Sequence, residues 1–312
     1  MALTEFGLIS RFFAGKTHYR SSTLLGIGDD CALLKVPDGH QLAVTTDTMV
    51  ENVHFLRGTD PKQLGFKLLA VNLSDLAAMG AEPIAVSLAL TMPEADEQWL
   101  SEFSAGFQAL ASQFGVDLIG GDTTTGPLTL TVQAMGLIPS DLALLRSGAK
   151  PGDLIFMTGS LGDAGLGLKM AQHLTKIDCQ IALQRFNCPM PRVQEGIALR
   201  TVANSCIDIS DGLAADLGHI LELSSVGANL DFERIPLSVG VNQYLKESGD
   251  WAFPLCSGDD YELCFTVAPE KADLLNFACT QIGIIETEPG IRISRNGLID
   301  TLKVKGFEHF SK

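Results

Sequence analysis

The spacing of apolar residues predicts alternating strands and helices along most of the chain. Apolar positions three and four apart predict helices, whereas short alternating or continuous apolar runs predict strands. In the first half the predicted strands are 40–47, 83–92, 116–121 and 127–138, and the predicted helices are 60–81 and 94–114. A second series of units starts with a strand at 154–159. This alternation favours an α/β or α+β architecture in each half.

A stretch rich in glycine, proline and lysine separates the two halves. The sequence RSGAKPGD at 146–153 is typical of a connector. We therefore expect two domains, residues 1–145 and residues 146–312. The alternating run at 127–138 indicates an antiparallel or mixed sheet in the first domain, because purely parallel strands are usually buried on both faces.

Composition and charge exclude several classes of function. The 312 residues are 46% hydrophobic and carry a formal net charge of −15, with no run rich in Lys or Arg. This composition argues against a partner that is a nucleic acid or an anionic membrane surface. The chain has no apolar run of the roughly 18 residues that a membrane span needs. The seven cysteines include no C-x-x-C pair, which favours free thiols in a reducing cytoplasm.

Many acidic residues follow apolar runs instead of scattering over the polar stretches. We interpret them as residues at the ends of strands and helices, where several carboxylates can converge. The acids of this kind are Asp29, Asp30, Asp47, Asp122, Asp208, Asp211, Asp259 and Asp260. In an extended stretch, neighbouring side chains point to opposite faces, so we expect only one of Asp29 and Asp30 to face a ligand.

Asp75 is the only charged residue between Leu68 and Ala81. On a helix it shares a face with Leu68, Val71 and Met79, which we expect to be buried. A carboxylate on a buried face must be protonated, paired or bound to a cation. A capping or core-paired aspartate is the alternative to a functional one.

The first half contains too few cations to pair these acids. Between Ser21 and Leu145 there are four Lys and Arg residues against fifteen Asp and Glu residues. A divalent metal is the simplest missing countercharge, and oxygen ligands without a Cys/His cluster select magnesium or calcium. Glycine-bearing turns in GIGDD, IGGDTTTG and DISDGL would let a phosphate approach the backbone. TGSLGDAGLGLK at 158–169 lacks the end of a Walker A motif, and we interpret it as a turn into a helix.

A series of motifs in a fixed order resembles the thiamine-monophosphate kinase family. The motifs are GIGDDCA, TTDTMVENVHF, NLSDLAAMGA, LIGGDTTTG, RSGAKPGD, DISDGL, SGDDYEL and GFEHF. The resemblance runs over nearly the whole chain and extends to a superfamily with aminoimidazole-ribonucleotide synthetase, selenophosphate synthetase and a hydrogenase-maturation protein. It implies a two-domain PurM-like fold, α/β plus α+β, in a cytoplasmic homodimer.

The resemblance also implies how the domains are used. The N-terminal mixed sheets of two protomers would pair into a barrel and bind metal and ATP, and the C-terminal α+β sandwich would close the ATP cleft. The implied reaction is a magnesium-dependent, in-line transfer of the ATP γ-phosphoryl group to thiamine monophosphate. The products would be ADP and thiamine diphosphate, and several Mg²⁺ ions would serve as cofactors.

The resemblance assigns roles to individual residues and implies no general base. The metal ligands would be Asp30, Thr45, Thr46, Asp47, Asp75, Asp122, Asp208 and Asp211. The ATP contacts would be Gly121, Asp122, Arg146 and Ser210, and the contacts to the thiamine end would be His54, Glu262 and Phe307. Two other functions stay open, namely an ATPase of the superfamily that activates another acceptor and a non-catalytic protein that binds thiamine phosphates or nucleotides.

Overall fold

The structure is a computed structural model and describes residues 5–14 and 20–301. The chain divides into two compact units. The first contains Met1–Leu76 and Ala81–Asp141, and the second contains Ala77–Gly80 and Leu142–Lys312. This division lies a few residues before the connector that the sequence predicts.

The first unit is built on a four-stranded sheet. Its elements are α1 (Glu5–Leu8), which continues as a π-helical turn (Ile9–Phe13), β1 (Thr23–Leu25), β2 (Leu33–Leu34), β3 (His40–Val50), α2 (Pro61–Ala78), β4 (Glu82–Met92), α3 (Glu97–Phe114), β5 (Asp117–Thr125) and β6 (Thr129–Pro139). The strand order is β3-β6-β4-β5. Strands β4 and β5 pair in parallel and the other neighbours are antiparallel, so the predicted mixed sheet is confirmed.

Side-chain caps explain where the two long helices begin. Asp60 accepts a hydrogen bond from the Gln63 N–H at 3.0 Å, immediately before Pro61 opens α2. Asp96 accepts hydrogen bonds from two N–H groups of α3, and Gly115 ends that helix in a left-handed conformation with φ 62°. The helix predicted from residue 94 therefore starts a few residues later, because Asp96 is its cap.

The sheet of the first unit has two different faces. One face, which we call the helix face, packs Leu90, Val132 and Ala134 beneath the helices. Among the described residues, the opposite face, which we call the open face, is covered at one end, where Leu34 of the β1–β2 hairpin packs near Met135. On the same face, Val44 of β3, which pairs with Met135, is 54% exposed. Within the described residues no sheet closes on itself, so a barrel is not formed by one chain.

The second unit is built on a seven-stranded sheet. Its elements are β7 (Leu154–Thr158), α4 (Asp163–Ala171), α5 (Gln180–Asn187), α6 (Val193–Leu199), β8 (Ala203–Asp208), α7 (Leu213–Ser224), β9 (Gly227–Asp231), α8 (Val239–Ser248), α9 (Phe253–Cys256), β10 (Leu263–Val267), β11 (Cys279–Glu286), β12 (Gly290–Arg295) and β13 (Leu298–Thr301), with 3₁₀ turns at Phe232–Arg234 and Pro269–Leu274. The order is β13-β12-β9-β11-β7-β10-β8, and only the β9–β12 pair is parallel. The turn and helix predicted from TGSLGDAGLGLK correspond to the start of α4.

The core of the second unit lies between this sheet and α7. Leu213, Leu217 and Ile220 of α7 are fully buried in one cluster with Ile155 of β7 and Ile207 of β8. This packing fixes the first turn of α7 next to the end of β8, which is where the DISDGL motif lies.

Two general features of the sequence can be compared with the structure. All seven cysteines are free thiols. No helix in the described part of the chain combines the length and the apolar character that crossing a bilayer requires.

Candidate functional site

On the helix face of the first unit, β3 and α2 bring together several oxygen atoms. Thr45 and Asp47 are two apart on β3 and therefore point to the same face, toward α2. The Thr45 hydroxyl donates a hydrogen bond to Asp75, and the Asp47 N–H donates to the Asn72 side-chain oxygen at 3.2 Å. The predicted ligands Thr45, Asp47 and Asp75 thus lie in one neighbourhood.

The electrostatics of this neighbourhood favour a bound cation. The pKa of Asp47 is raised to about 6, mainly by burial and also by repulsion from the nearby Asp75 carboxylate. A positive ion would relieve both effects, because it would replace lost hydration and screen the repulsion. All the donors are oxygens, which suits a hard ion such as Mg²⁺. These oxygen ligands fit a magnesium site. Among the described residues, however, no three His, Cys, Asp or Glu side chains lie close enough together to hold a metal ion by themselves.

Asp122 and Thr46 lie on the opposite face of the same sheet. Strand β5 extends to Thr125, so Asp122 lies inside this strand and not at its end, which corrects the sequence interpretation. The pairing of Asp122 with Ala89 puts both residues on the exposed, open face. Thr46 alternates with its neighbours on β3 and is also exposed there. The structure therefore divides the predicted ligands of the first unit between two faces.

Asp29 and Asp30 lie in the loop of the β1–β2 hairpin, and both are exposed. The Asp30 N–H donates to Asp29 Oδ1 at 3.0 Å. Asp29 forms an isolated bridge with Ile27 and Asp30 lies in a bend, and the expectation that only one of the two faces a ligand stays a prediction. Since β2 packs on the open face, the loop extends from the side of the sheet that carries Asp122.

The backbone around two other predicted residues of the first unit is also well defined. His54 lies in a tight turn after β3, and its Nδ1 accepts a hydrogen bond from the Val50 N–H at 3.0 Å. A neutral imidazole that accepts on Nδ1 carries its proton on Nε2, so the Nε2 atom of His54 is a hydrogen-bond donor. Gly121 lies on β5 with φ 152°, and a side chain at this position would collide with the backbone of Leu88. Glycine is therefore required next to Asp122.

In the second unit, the loop between β8 and α7 carries Asp208, Ser210 and Asp211. Asp208 is buried at the end of β8, whereas Ser210 and Asp211 are half-buried. Asp216, in the first turns of α7, accepts hydrogen bonds from the N–H groups of Ser210, Asp211 and Gly212 at 3.0, 3.0 and 3.1 Å. Burial raises the pKa of Asp216 to about 7, the Asp211 carboxylate also raises it, and the three N–H groups oppose the shift.

The SGDDYEL motif supports this loop from the other side. The Asp259 N–H donates to the Ser210 carbonyl and the Tyr261 N–H donates to the Ile209 carbonyl, both at 2.8 Å. Between them, Asp260 is buried and accepts from the Gly162 and Ala164 N–H groups at the start of α4. Burial raises the pKa of Asp260 well above its ordinary value. Asp259 and Tyr261 both have positive φ, which marks a tightly specified backbone.

Glu262 is fully engaged within the second unit and is only 1% exposed. Its Oε1 accepts from Arg185 at 3.0 Å and from Arg192 at 2.6 Å. Its Oε2 accepts from Arg192 and from the Thr158 hydroxyl, both at 2.6 Å. This arrangement gives Glu262 a role in holding α5 and α6 to the sheet, and contact with a substrate stays a prediction for it. Phe307, the other residue predicted for the thiamine end, lies outside the described residues.

Arg146 lies on a connector that is attached to the second unit. The Leu145 carbonyl accepts a hydrogen bond from the Cys206 N–H at 2.9 Å, so the connector runs beside the edge strand β8. The Gly148 and Ala149 N–H groups both donate to the Ser224 hydroxyl at 3.2 Å. Arg146 itself is exposed, next to the strand that ends at Asp208.

The sequence did not identify the structural roles of three polar side chains. Asn72 accepts from the Asp47 N–H, Asp216 accepts from the β8–α7 loop, and Asp260 accepts from the start of α4. Asn72 lies one helical turn from Asp75, and this spacing could have identified it. Asp216 follows the DISDGL turn by one helical turn, where an acid near a helix N-terminus is favoured. The partners of Asp260 are about a hundred residues away in the chain, so no local signal identifies them.

Comparison with known proteins agrees with this architecture. Residues 28–138 match the family described as AIR synthase related protein, N-terminal domain, and residues 150–295 match the corresponding C-terminal domain. The fold and the acidic motifs thus define a two-domain protein of the AIR synthase related class. A crystal structure of thiamine-monophosphate kinase from Stenotrophomonas maltophilia superposes with a TM-score of 0.85 at 44% identity, covering 94% of this chain and 97% of that one.

Two further relatives specify the family. Thiamine-monophosphate kinase from Salmonella typhimurium is 44% identical over 323 residues, which cover 100% of this chain and 99% of the relative. A structure of AaThiL complexed with AMPPCP and TMP has a TM-score of 0.80 at 30% identity, covering 91% of this chain and 92% of that one. The chain belongs to the thiamine-monophosphate kinase family.

The buried contacts of Glu262 generate a prediction about stability. In Glu262→Gln the carboxylate charge is lost, and the guanidinium groups of Arg185 and Arg192 lose their buried countercharge. We expect the free energy of unfolding of the second unit to fall by about 3–5 kcal/mol, as for other buried ion pairs that lose one partner. Urea denaturation followed by tryptophan fluorescence measures the change.

The matched control is Glu97→Gln, which removes an exposed ion pair with Arg11. Exposed pairs contribute below about 1 kcal/mol, so the unfolding midpoint of this variant should stay close to that of the unmodified chain. Equal midpoints for Glu262→Gln and Glu97→Gln would show that the Glu262 network does not hold the second unit together.

Proposed function

We propose that this chain transfers the γ-phosphoryl group of ATP to thiamine monophosphate and forms ADP and thiamine diphosphate. The observation that carries the proposal is the full-length similarity to thiamine-monophosphate kinases at 44% identity. AaThiL, which shares the fold over most of both chains, is named as a complex with AMPPCP and TMP. The acidic neighbourhoods of both units support the same chemistry.

The chemistry of the acceptor explains why no general base is needed. A phosphate monoester has its second pKa near about 6, so its oxygen is already anionic at neutral pH. The obstacle to transfer is the repulsion between two polyanions and not the removal of a proton. In-line phosphoryl transfer depends mainly on positioning and on charge neutralisation. A site rich in carboxylates suits this task only when cations are bound to them.

We propose that each unit supplies its own oxygen ligands for Mg²⁺. In the first unit, Thr45, Asp47 and Asp75 hold one site on the helix face, and Asp30, Thr46 and Asp122 contribute from the open face. In the second unit, Asp208 and Asp211 contribute from the β8–α7 loop. Bound Mg²⁺ would supply positive charge to the phosphate oxygens. The protein fixes the ligand positions through the β3 ladder, α2 and the anchored loop.

The remaining predicted residues are proposed to bind the two substrates. Arg146 has the planar guanidinium that pairs with phosphate, and Ser210 lies on the anchored loop beside the same strand. Gly121 allows close approach to the backbone of β5. His54 would donate from Nε2 to the thiamine phosphate, and Phe307 would stack on one of its rings. Glu262 would act at this end chiefly by orienting Arg185 and Arg192.

A homodimer is also part of the proposal. The open face leaves Leu42 and Val44 of β3 exposed next to polar threonines, and a second copy of the first unit would cover them. Pairing of two such sheets would give the barrel that the sequence resemblance implies. A cytoplasmic location agrees with the seven free thiols.

An assay with purified protein, ATP, Mg²⁺ and thiamine monophosphate tests the proposed function. Stoichiometric appearance of ADP and thiamine diphosphate is the expected result. Formation of ADP only with a different acceptor would indicate another ATPase of the superfamily. Tight binding of thiamine phosphate without any turnover would indicate a binding protein. Either of these outcomes would overturn the proposal.

The surplus of carboxylates generates a prediction about turnover. Asp30→Ala and Asp122→Ala each remove an exposed oxygen ligand without opening a core cavity. We expect kcat to fall by about two orders of magnitude or more, with thermal unfolding unchanged, because charge neutralisation is lost. Asp38→Ala, another exposed acid of the first unit, is the control and should retain full activity. Near-normal turnover in both test variants would contradict the metal assignment.

The orientation of His54 generates a prediction about substrate affinity. His54→Ala removes the Nε2 donor, so we expect KM for thiamine monophosphate to rise about tenfold while kcat and KM for ATP change little. Steady-state kinetics with each substrate varied in turn separate these parameters. His40→Ala, at an exposed histidine at the start of β3, is the control. A change confined to KM for ATP would show that His54 serves the nucleotide instead.

A further inference from the structure

The N–H groups of the β8–α7 loop are already bound to the protein itself. Asp216 Oδ2 receives three of them, from Ser210, Asp211 and Gly212. The preceding Ile209 N–H donates to the Glu262 carbonyl at 2.8 Å. Four consecutive N–H groups are therefore occupied, and the acceptor carboxylate of Asp216 is only 2% exposed.

This arrangement resembles a turn that binds a phosphate, but with an internal carboxylate in the place of the phosphate. Consecutive N–H groups at the start of a helix form a concave site for an anion. Gly212, with φ 109°, gives the loop the curvature that points these groups at one atom. A β-carbon at Gly212 would lie 2.9 Å from the backbone of Cys256, so the curvature is also enforced by packing.

The carbonyl groups of the loop are held as well. The Ser210 carbonyl accepts from the Asp259 N–H and the Ile209 carbonyl accepts from the Tyr261 N–H. With both sides of the backbone attached, the loop has little freedom to rotate its N–H groups toward a ligand. What it can offer a ligand are the half-buried side chains of Ser210 and Asp211.

We propose that Asp216 is a positioning residue that makes the DISDGL turn bind a nucleotide together with its cation. Because Asp216 occupies the N–H groups of the turn, the turn contacts the nucleotide through its side chains and the cation. By accepting the N–H groups of Ser210, Asp211 and Gly212 on its own carboxylate, Asp216 leaves none of these three groups to bind a bare phosphate. It also holds Ser210 and Asp211 in the orientation in which their side chains meet the ligand. The inference rests on the proposed function, because that function makes these two side chains part of the nucleotide site.

Hydrogen exchange tests the structural part of this proposal without any substrate. In the unmodified protein, the amides of 209–212 should be protected. In Asp216→Ala the amides of 210–212 should exchange about tenfold faster or more, since their three contacts to Asp216 are lost, whereas the Ile209 amide keeps its bond to the Glu262 carbonyl. Asp96→Ala is the matched control, because Asp96 also accepts from two backbone N–H groups but lies in the first unit. It should leave the exchange of the loop unchanged.

Kinetics separate a positioning role from a purely structural one. We expect Asp216→Ala to raise KM for Mg-ATP about tenfold or more and to leave KM for thiamine monophosphate within about twofold. Asp216→Asn keeps an acceptor oxygen of the same shape and should recover most of the loop protection and part of the affinity. In Asp96→Ala any loss of thermal stability should occur without a change in KM for Mg-ATP.

Three outcomes would overturn the inference. The first is continued protection of 210–212 in Asp216→Ala, and the second is an equal rise of both KM values. The third is failure of both Asp216 variants to fold, which would assign Asp216 to global stability alone. If the unmodified chain does not phosphorylate thiamine monophosphate, the proposed function fails separately. Calorimetry with Mg²⁺ and ATP then replaces KM, and the exchange data stand unaffected.

Discussion

A carboxylate removed from water needs compensating charge or hydrogen bonds, and this requirement governs how the acidic residues of both units are placed. In the second unit the chain meets this need itself. Asp216 and Asp260 take backbone N–H groups, and Glu262 takes two arginines. In the first unit, burial and the nearby Asp75 carboxylate raise the pKa of Asp47 to about 6. The acids that receive these N–H groups and guanidinium groups hold the loops and helices of the second unit in place.

Local patterns were sufficient to predict much of the architecture. The period of the apolar residues marked the strands and helices of the first unit, and the Asp60-Pro61 pair marked the start of α2. Alternation in β6 indicated a mixed sheet, which the pairing confirms. These features are set by residues within a few positions of one another, so a single sequence contains the information.

The arrangement of the site could not be predicted in the same way, because it depends on the register between distant strands. The pairing of β4 with β5 shifts between Val86 and Ser87, and Ile119 is the extra residue. This bulge changes the parity of β5 and decides that Asp122 lies on the open face. Asp211 and Asp216 lie in one short segment, yet Asp216 is buried and Asp211 is half-buried. This difference depends on how α7 packs and not on composition.

On strand β3, the side chains of Thr45 and Asp47 lie on one face of the sheet and the side chain of Thr46 lies on the other. Side chains alternate between the two faces of a strand with a period of two residues. Gaining or losing one residue upstream in β3 would therefore exchange the side chains of the two faces, so the length of the strand cannot change by one residue. A single-codon insertion or deletion within the strand would move every side chain beyond it to the opposite face. Genetic variation in length should therefore be confined to the connections outside β3, where no such parity has to be kept.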